Sequence, residues 1–156
     1  MSMSSVLRDV RSGVIGILPI ALAAVPFGLL LGSEAVRKGL TPAEVGLMSM
    51  IVFAGSAQFL TVSIWTHPAP WAAFASAAFL INLRHVLMSA SISPKLKSFR
   101  PSQKTLAAFL LADEIWALSE RRAAHHPLTP GFYFGTAIGF YTIWLAATVA
   151  GTFLGE

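Results

Sequence analysis

Apolar residues run through this chain in long unbroken stretches, and the charged residues gather in short islands between them. Residues 12–33, 45–66 and 128–155 carry no charge at all. Each run is long enough for a helix to cross a bilayer core of about 30 Å, which takes roughly 20 residues. The pattern predicts an all-α, polytopic membrane helix bundle of about five transmembrane segments, some kinked or broken. They fall at residues 12–32, 45–66, 70–94, 105–119 and 131–155, within a single integral membrane domain, residues 1–156.

Proline and glycine punctuate these runs. Pro19 and Pro26 fall inside the first segment, where a proline removes a backbone hydrogen bond and crowds the preceding turn. A kinked packing helix or a gating helix is expected there. Thr41-Pro42-Ala43-Glu44 has the form of a capping box and starts the second segment. That segment carries FAGSAQF, whose small residues Gly55, Ser56 and Ala57 suit a close helix crossing. They equally suit a break that opens backbone groups to a substrate or ion. His67-Pro68-Ala69-Pro70 reads as a tight turn. Gly131, Gly135 and Gly139 share one helix face and let another helix approach closely. Gly28/Gly32 and Gly151/Gly155 repeat the spacing. No convincing internal repeat shows at this length.

Composition narrows the function classes. Hydrophobic residues make up 55% of the chain and charged residues 12%, about half the charge of an ordinary globular protein. The mean hydropathy of +0.69 is too high for a soluble domain of this size. A net charge of +4 would suggest nucleic acid in a soluble protein. Here the basic residues sit between apolar runs, where they anchor helix ends and set topology, so no nucleic-acid partner is expected. The absence of cysteine excludes disulfides and cysteine-ligated metal sites. His125 and His126 point about 100° apart on a helix and read as a solvated loop pair rather than a metal site. No cofactor is expected. Arg8, Arg11 and Ala21-Leu22-Ala23 mimic a signal peptide, but the apolar run continues to Gly32 and further segments follow, so a retained first helix is expected.

Charge does not fix the orientation. Five simple spans would place Arg8, Arg11, Arg121 and Arg122 on one side, and Arg37, Lys38, Lys95, Lys97, Arg100 and Lys104 on the other. The positive-inside rule then favours an outside N-terminus. A re-entrant third segment would reverse that reading by the same margin.

The chemistry concentrates where charge is least expected. Arg84 lies in FLINLRHVLMSAS, eleven residues before Lys95, or roughly 16 Å along a helix. Asp113 lies nine residues after Lys104, roughly 13 Å from the same basic loop. Gln58 lies nine residues before His67. Gln58, Arg84, Asp113 and Glu114 therefore come to similar depth, and Asn82 and His85 share the helix of Arg84. An unpaired charge at mid-membrane costs about 2.5–3.5 kcal/mol on insertion scales. An ion pair of Arg84 with Asp113 or Glu114, facing the interior, is the physical expectation. Such a pair either holds helices together or marks a transport pathway.

Three motifs in order, FAGSAQF, NLRHVLM and LADE, resemble those of the AzlC family, the large subunit of bacterial branched-chain amino acid exporters. The resemblance runs from about residue 18 to residue 155. It implies a multi-pass protein of the bacterial inner membrane, acting with a small hydrophobic AzlD-like subunit to export valine, leucine, isoleucine and similar amino acids. The positions it marks are Gly55, Ser56, Gln58, Asn82, Arg84, His85, Asp113 and Glu114. Family members are usually longer, with further apolar segments past TVAGTFLGE, so this chain is either a fragment or is completed by a partner.

On this reading Arg84 holds the substrate carboxylate by a bidentate contact, and Asp113 or Glu114 holds the ammonium. Apolar side chains of the first two segments surround the aliphatic group. A carboxylate or His85 would carry a coupled proton. Two other readings stay open. One is a non-transporting assembly subunit, in which self-association is also allowed. The other is an intramembrane serine hydrolase with Ser56 as nucleophile, His85 as base and Asn82 as oxyanion donor. Ala57 follows Ser56 where a rhomboid-type motif has glycine, and the hydrolase reading leaves Arg84 unexplained. No enzyme activity is expected.

Overall fold

The computed structural model describes residues 3–66 and 68–155; the turn expected at His67 therefore falls partly outside the described residues. Among these the fold is all-helical: α1 Met3–Arg37, α2 Pro42–Ile51, α3 Gly55–Ser63, α4 Trp71–Ile92, α5 Pro101–Phe109, α6 Asp113–Ala123 and α7 Pro130–Thr152. A short 3-10 turn, Ser93–Lys95, prolongs α4. Only three of these are long and apolar enough to cross a membrane: α1, α4 with its extension, and α7. The chain is thus a polytopic membrane helix bundle with three such helices instead of the expected five. α1 stays one helix through Pro19 and Pro26. α4 leaves Phe79, Leu80, Val86 and Leu87 exposed, each by more than 60%, which suits a helix solvated by lipid.

The second and fourth expected segments are each split in two. The run at 45–66 becomes α2 and α3 around residues 52–54, and the run at 105–119 becomes α5 and α6 around residues 110–112. At 1.5 Å per residue the pieces are about 14–17 Å long, half a bilayer core. The segment lengths had suggested spans because a sequence window counts apolar residues without seeing where the helix stops.

By contacts the chain forms two compact units, Met1–Leu22 with His85–Thr142, and Ala23–Arg84 with Ile143–Glu156. In the first unit Ser98 Oγ donates to the Leu128 carbonyl at 3.1 Å, and Lys95 pairs with Glu120. The chain before α5 therefore meets the chain after α6, and the pair of half-helices returns to the end where it began. Asp9 joins this end, accepting from Thr129 Oγ1 at 2.8 Å and facing Arg122 at 3.8 Å. Burial pushes the Glu120 carboxyl up, but hydrogen bonds from Lys95 and Ser91 and the Lys95 charge outweigh it and hold it below the usual value.

The second unit repeats the device. Lys38 Nζ, just before α2, reaches the Ser63 carbonyl at the end of α3, 3.4 Å away. Thr41 Oγ1 accepts from Glu44 N while Glu44 accepts from Thr41 N, completing the capping box. At α5 the Gln103 side chain accepts from Arg100 N at 2.9 Å. Both half-helix pairs thus open on a proline, with a side chain three residues past the N-cap accepting from the N-cap backbone, and break before an alanine N-cap, Ala54 or Ala112. This is a structural repeat that residue identity had hidden.

α1 and α7 pack by backbone in each unit. In the first, a methyl group at Gly135 would lie 2.3 Å from the Val10 carbonyl oxygen; in the second, one at Gly151 would lie 2.2 Å from that of Leu29. Only glycine admits such an approach.

Candidate functional site

Helix breaks expose backbone that must find protein partners or a wet cavity at membrane depth. In the second unit the break spans Val52 (φ −106°, ψ 87°) to Ala54 (φ −145°, ψ 86°). Gly55 opens α3 beneath the Trp144 ring, whose nearest carbon would lie 3.0 Å from an added Cβ. Gln58 is 1% exposed. Its Nε2 donates to Ser49 Oγ at 3.0 Å, and its Oε1 accepts from Trp144 Nε1 at 3.0 Å. One amide therefore ties α2, α3 and α7 across the break. The sequence reading marked Gln58 but missed Ser49 and Trp144. A tryptophan N–H within an apolar run needs a buried acceptor, and that was the available signal.

Arg84 Nη2 donates to Ser56 Oγ at 2.5 Å. Ser56 sits in the first turn of α3, and the N-cap is alanine, whose side chain offers no acceptor. A guanidinium therefore stands at the positive end of a half-helix that carries no acidic residue in its first turn. Both features favour an anion. Asn82, also on α4, has a buried Oδ1 without a hydrogen-bond partner.

The first unit's break has the reverse character. Asp113 and Glu114 are the first two residues of α6 and lie half-buried. Carboxylates there are stabilised by the helix dipole, by about 0.3–1 kcal/mol each. The Leu111 carbonyl, freed by the break, meets His85 Nε2 at 3.2 Å. A carbonyl only accepts, so this contact assigns the proton to Nε2. His85 Nδ1 is then a buried acceptor with no partner.

The expected site residues fall into two groups. Gly55, Ser56, Gln58, Asn82 and Arg84 belong to the second unit; His85, Asp113 and Glu114 belong to the first. Ser56 and His85, the serine-hydrolase pair, have separate partners in Arg84 and Leu111.

Comparison with known proteins agrees with this architecture. The family model described as AzlC protein matches residues 19–156. An uncharacterized membrane protein of Archaeoglobus fulgidus is 31% identical over 149 residues, covering 94% of this chain and 63% of that protein. The inner membrane protein YgaZ of Escherichia coli (strain K12) is 29% identical over 143 residues, covering 89% of this chain and 58% of YgaZ. The chain thus spans less than two thirds of the length of these curated relatives. No solved structure matches it. A family match over most of the chain, on a helical membrane scaffold with two broken helices, places it: the chain belongs to the AzlC protein family.

Proposed function

We propose that the chain is the substrate-binding part of a secondary transporter that exports branched-chain, aliphatic amino acids across the bacterial inner membrane. The observation that carries the reading is the Arg84 guanidinium donating to Ser56 in the first turn of the half-helix α3. Asp113 and Glu114 open the other half-helix, α6. A zwitterionic amino acid needs one group of each sign. Arg84 takes the carboxylate, and Asp113 or Glu114 takes the ammonium. Broken helices with charged groups at their inner ends are a recurrent way for transporters to hold such substrates. His85 Nδ1, as a buried acceptor, is the proposed site of a coupled proton. A small AzlD-like membrane subunit is the proposed partner.

Orientation enters as part of the proposal. Arg8, Arg11, Lys95, Lys97, Arg100, Lys104, Arg121 and Arg122 lie in the N-terminal part of α1 or between the end of α4 and the start of α7, while Arg37 and Lys38 lie between α1 and α4. With three crossing helices the positive-inside rule puts the N-terminal end of α1 in the cytoplasm. The chain has no native cysteine, so single cysteines report cleanly. Ala124→Cys is expected to resist an impermeant maleimide in intact cells, and Thr66→Cys to react. The reverse labelling would overturn the orientation.

The central test is labelled leucine counterflow in proteoliposomes containing the chain and its small partner subunit. Arg84→Gln and Asp113→Asn/Glu114→Gln, matched for expression, are each expected to lower the rate at least a hundredfold. Wild-type rates in both would refute the proposed roles.

A further inference from the structure

Beside α3, within the second unit, lies a cavity of about 460 Å³, inside the roughly 300–1,000 Å³ typical of small-molecule sites. Met48 of α2, Val52 at the break, Ala57, Gln58 and Thr61 of α3, and Ala78 of α4 are among its walls. Towards the outer ends of α2 and α3 it is bounded by Trp65, Trp71 and Phe74. Trp65 and Phe74 stack at 5.0 Å, and Trp71 meets Phe74 edge-on at 5.8 Å.

The cavity's inner end is lined by the residues that follow the arginine's hydrogen-bond partner. Ala57 and Gln58 directly follow Ser56, whose hydroxyl accepts from Arg84. Its polar lining is Gln58, Glu44 and Thr61; both ends of the Gln58 amide are already hydrogen-bonded to Ser49 and Trp144, and Glu44 accepts from Thr41 in the capping box. A polar side chain entering here would lose water and find little in exchange, whereas an aliphatic one loses nothing.

We propose that this cavity is the side-chain subsite of the transporter, taking the aliphatic group of an amino acid whose carboxylate is held at Arg84 and Ser56. The inference rests on the carboxylate role of Arg84 given above. Selection then works by volume and desolvation. Each methylene in an apolar pocket discriminates by roughly 10- to 200-fold, so narrowing the cavity should change preference and not merely rate.

The test uses the chain with its partner subunit in proteoliposomes, comparing leucine with alanine counterflow for Ala78→Phe and the milder Ala78→Ile. Ala78 is half-buried, so either side chain can enter the cavity without displacing a tightly packed core. Ala78→Phe is expected to lower leucine exchange at least tenfold while alanine exchange changes less than twofold, with Ala78→Ile intermediate. Leucine binding to the detergent-solubilised complex, read from the fluorescence of Trp65 and Trp71 at the cavity, should weaken in the same order. Equal effects on leucine and alanine, or none, would overturn the subsite. So would a phospholipid retained in native mass spectrometry that leucine does not displace, since the cavity would then hold an acyl chain. Arg84→Gln, run in parallel, separates the two ideas. If it abolishes exchange of both amino acids while the Ala78 variants leave preference unaltered, the subsite alone fails. If it leaves exchange intact, the carboxylate reading fails.

Discussion

The α2–α3 and α5–α6 pairs solve the same backbone problem with opposite side chains. Both begin at a proline, run about ten residues, unwind for three and start again behind an alanine. At α3 the new helix opens with Gly55 and Ser56 and meets a guanidinium; at α6 it opens with Asp113 and Glu114. The freed backbone is handled differently too. A buried glutamine bridges three helices at the first break, while a histidine covers one carbonyl at the second. A shared fold therefore supplies two positions at which charge can be placed, and the side chains decide its sign. In the proposed transporter the first break is the clamp and the second the place where a proton lands.

The largest effect expected from testing that contrast is on transport. If the two breaks are complementary halves, Arg84→Lys should retain a fraction of leucine exchange, because it keeps the charge but loses the planar fork. Arg84→Gln should retain none above background. Parity of the two substitutions would remove the case for bidentate binding at the first break. Next comes stability. Trp144→Phe strips the bond to Gln58 Oε1 and strands a buried acceptor, costing about 1–3 kcal/mol. His85→Leu, which uncovers only the Leu111 carbonyl at a half-buried position, should cost about 1 kcal/mol. Unfolding of the purified protein in mixed micelles measures both, and a larger loss at His85 would invert the comparison of clamp and landing place. The smallest effect belongs to the outer end of α6. Glu120→Gln removes a partly exposed pair with Lys95 and should cost roughly 0.5 kcal/mol. The folded carboxyl is held below its ordinary value of 4.5. Its contribution is therefore complete above that value and disappears as pH falls through the lower, folded one. The difference between wild type and Glu120→Gln should vanish in acid.

Much of this was legible in the sequence, unevenly. α1 and α7 follow directly from charge-free runs longer than a bilayer needs. FAGSAQF left a break open beside a close helix crossing, because its small residues suit either. Leu110-Leu111-Ala112 announced nothing, since leucine and alanine are the best helix formers. That break is imposed by tertiary structure, through contacts such as His85 with Leu111. The returning half-helices were invisible for a related reason. A run of twenty apolar residues looks the same whether it crosses once or goes in and comes back. The capping residues at Thr41–Glu44 and Arg100–Gln103 carried the only local sign that the two starts are alike, and their side chains differ enough to hide it. Gln58 and Arg84 stood out as polar residues in lipid-length runs. Of their partners, Ser56 lay in the marked motif, Trp144 signalled only that its N–H needed some buried acceptor, and Ser49 is an ordinary residue for such a run that coordinates alone could choose.

The contact of α1 with α7 also has a mechanical consequence. At Gly135 and at Gly151 main chain meets main chain with no side chain between them. A single methyl group at either position would therefore act as a wedge within its own unit, so tolerance of mutation there is set by backbone clearance and not by hydrophobicity.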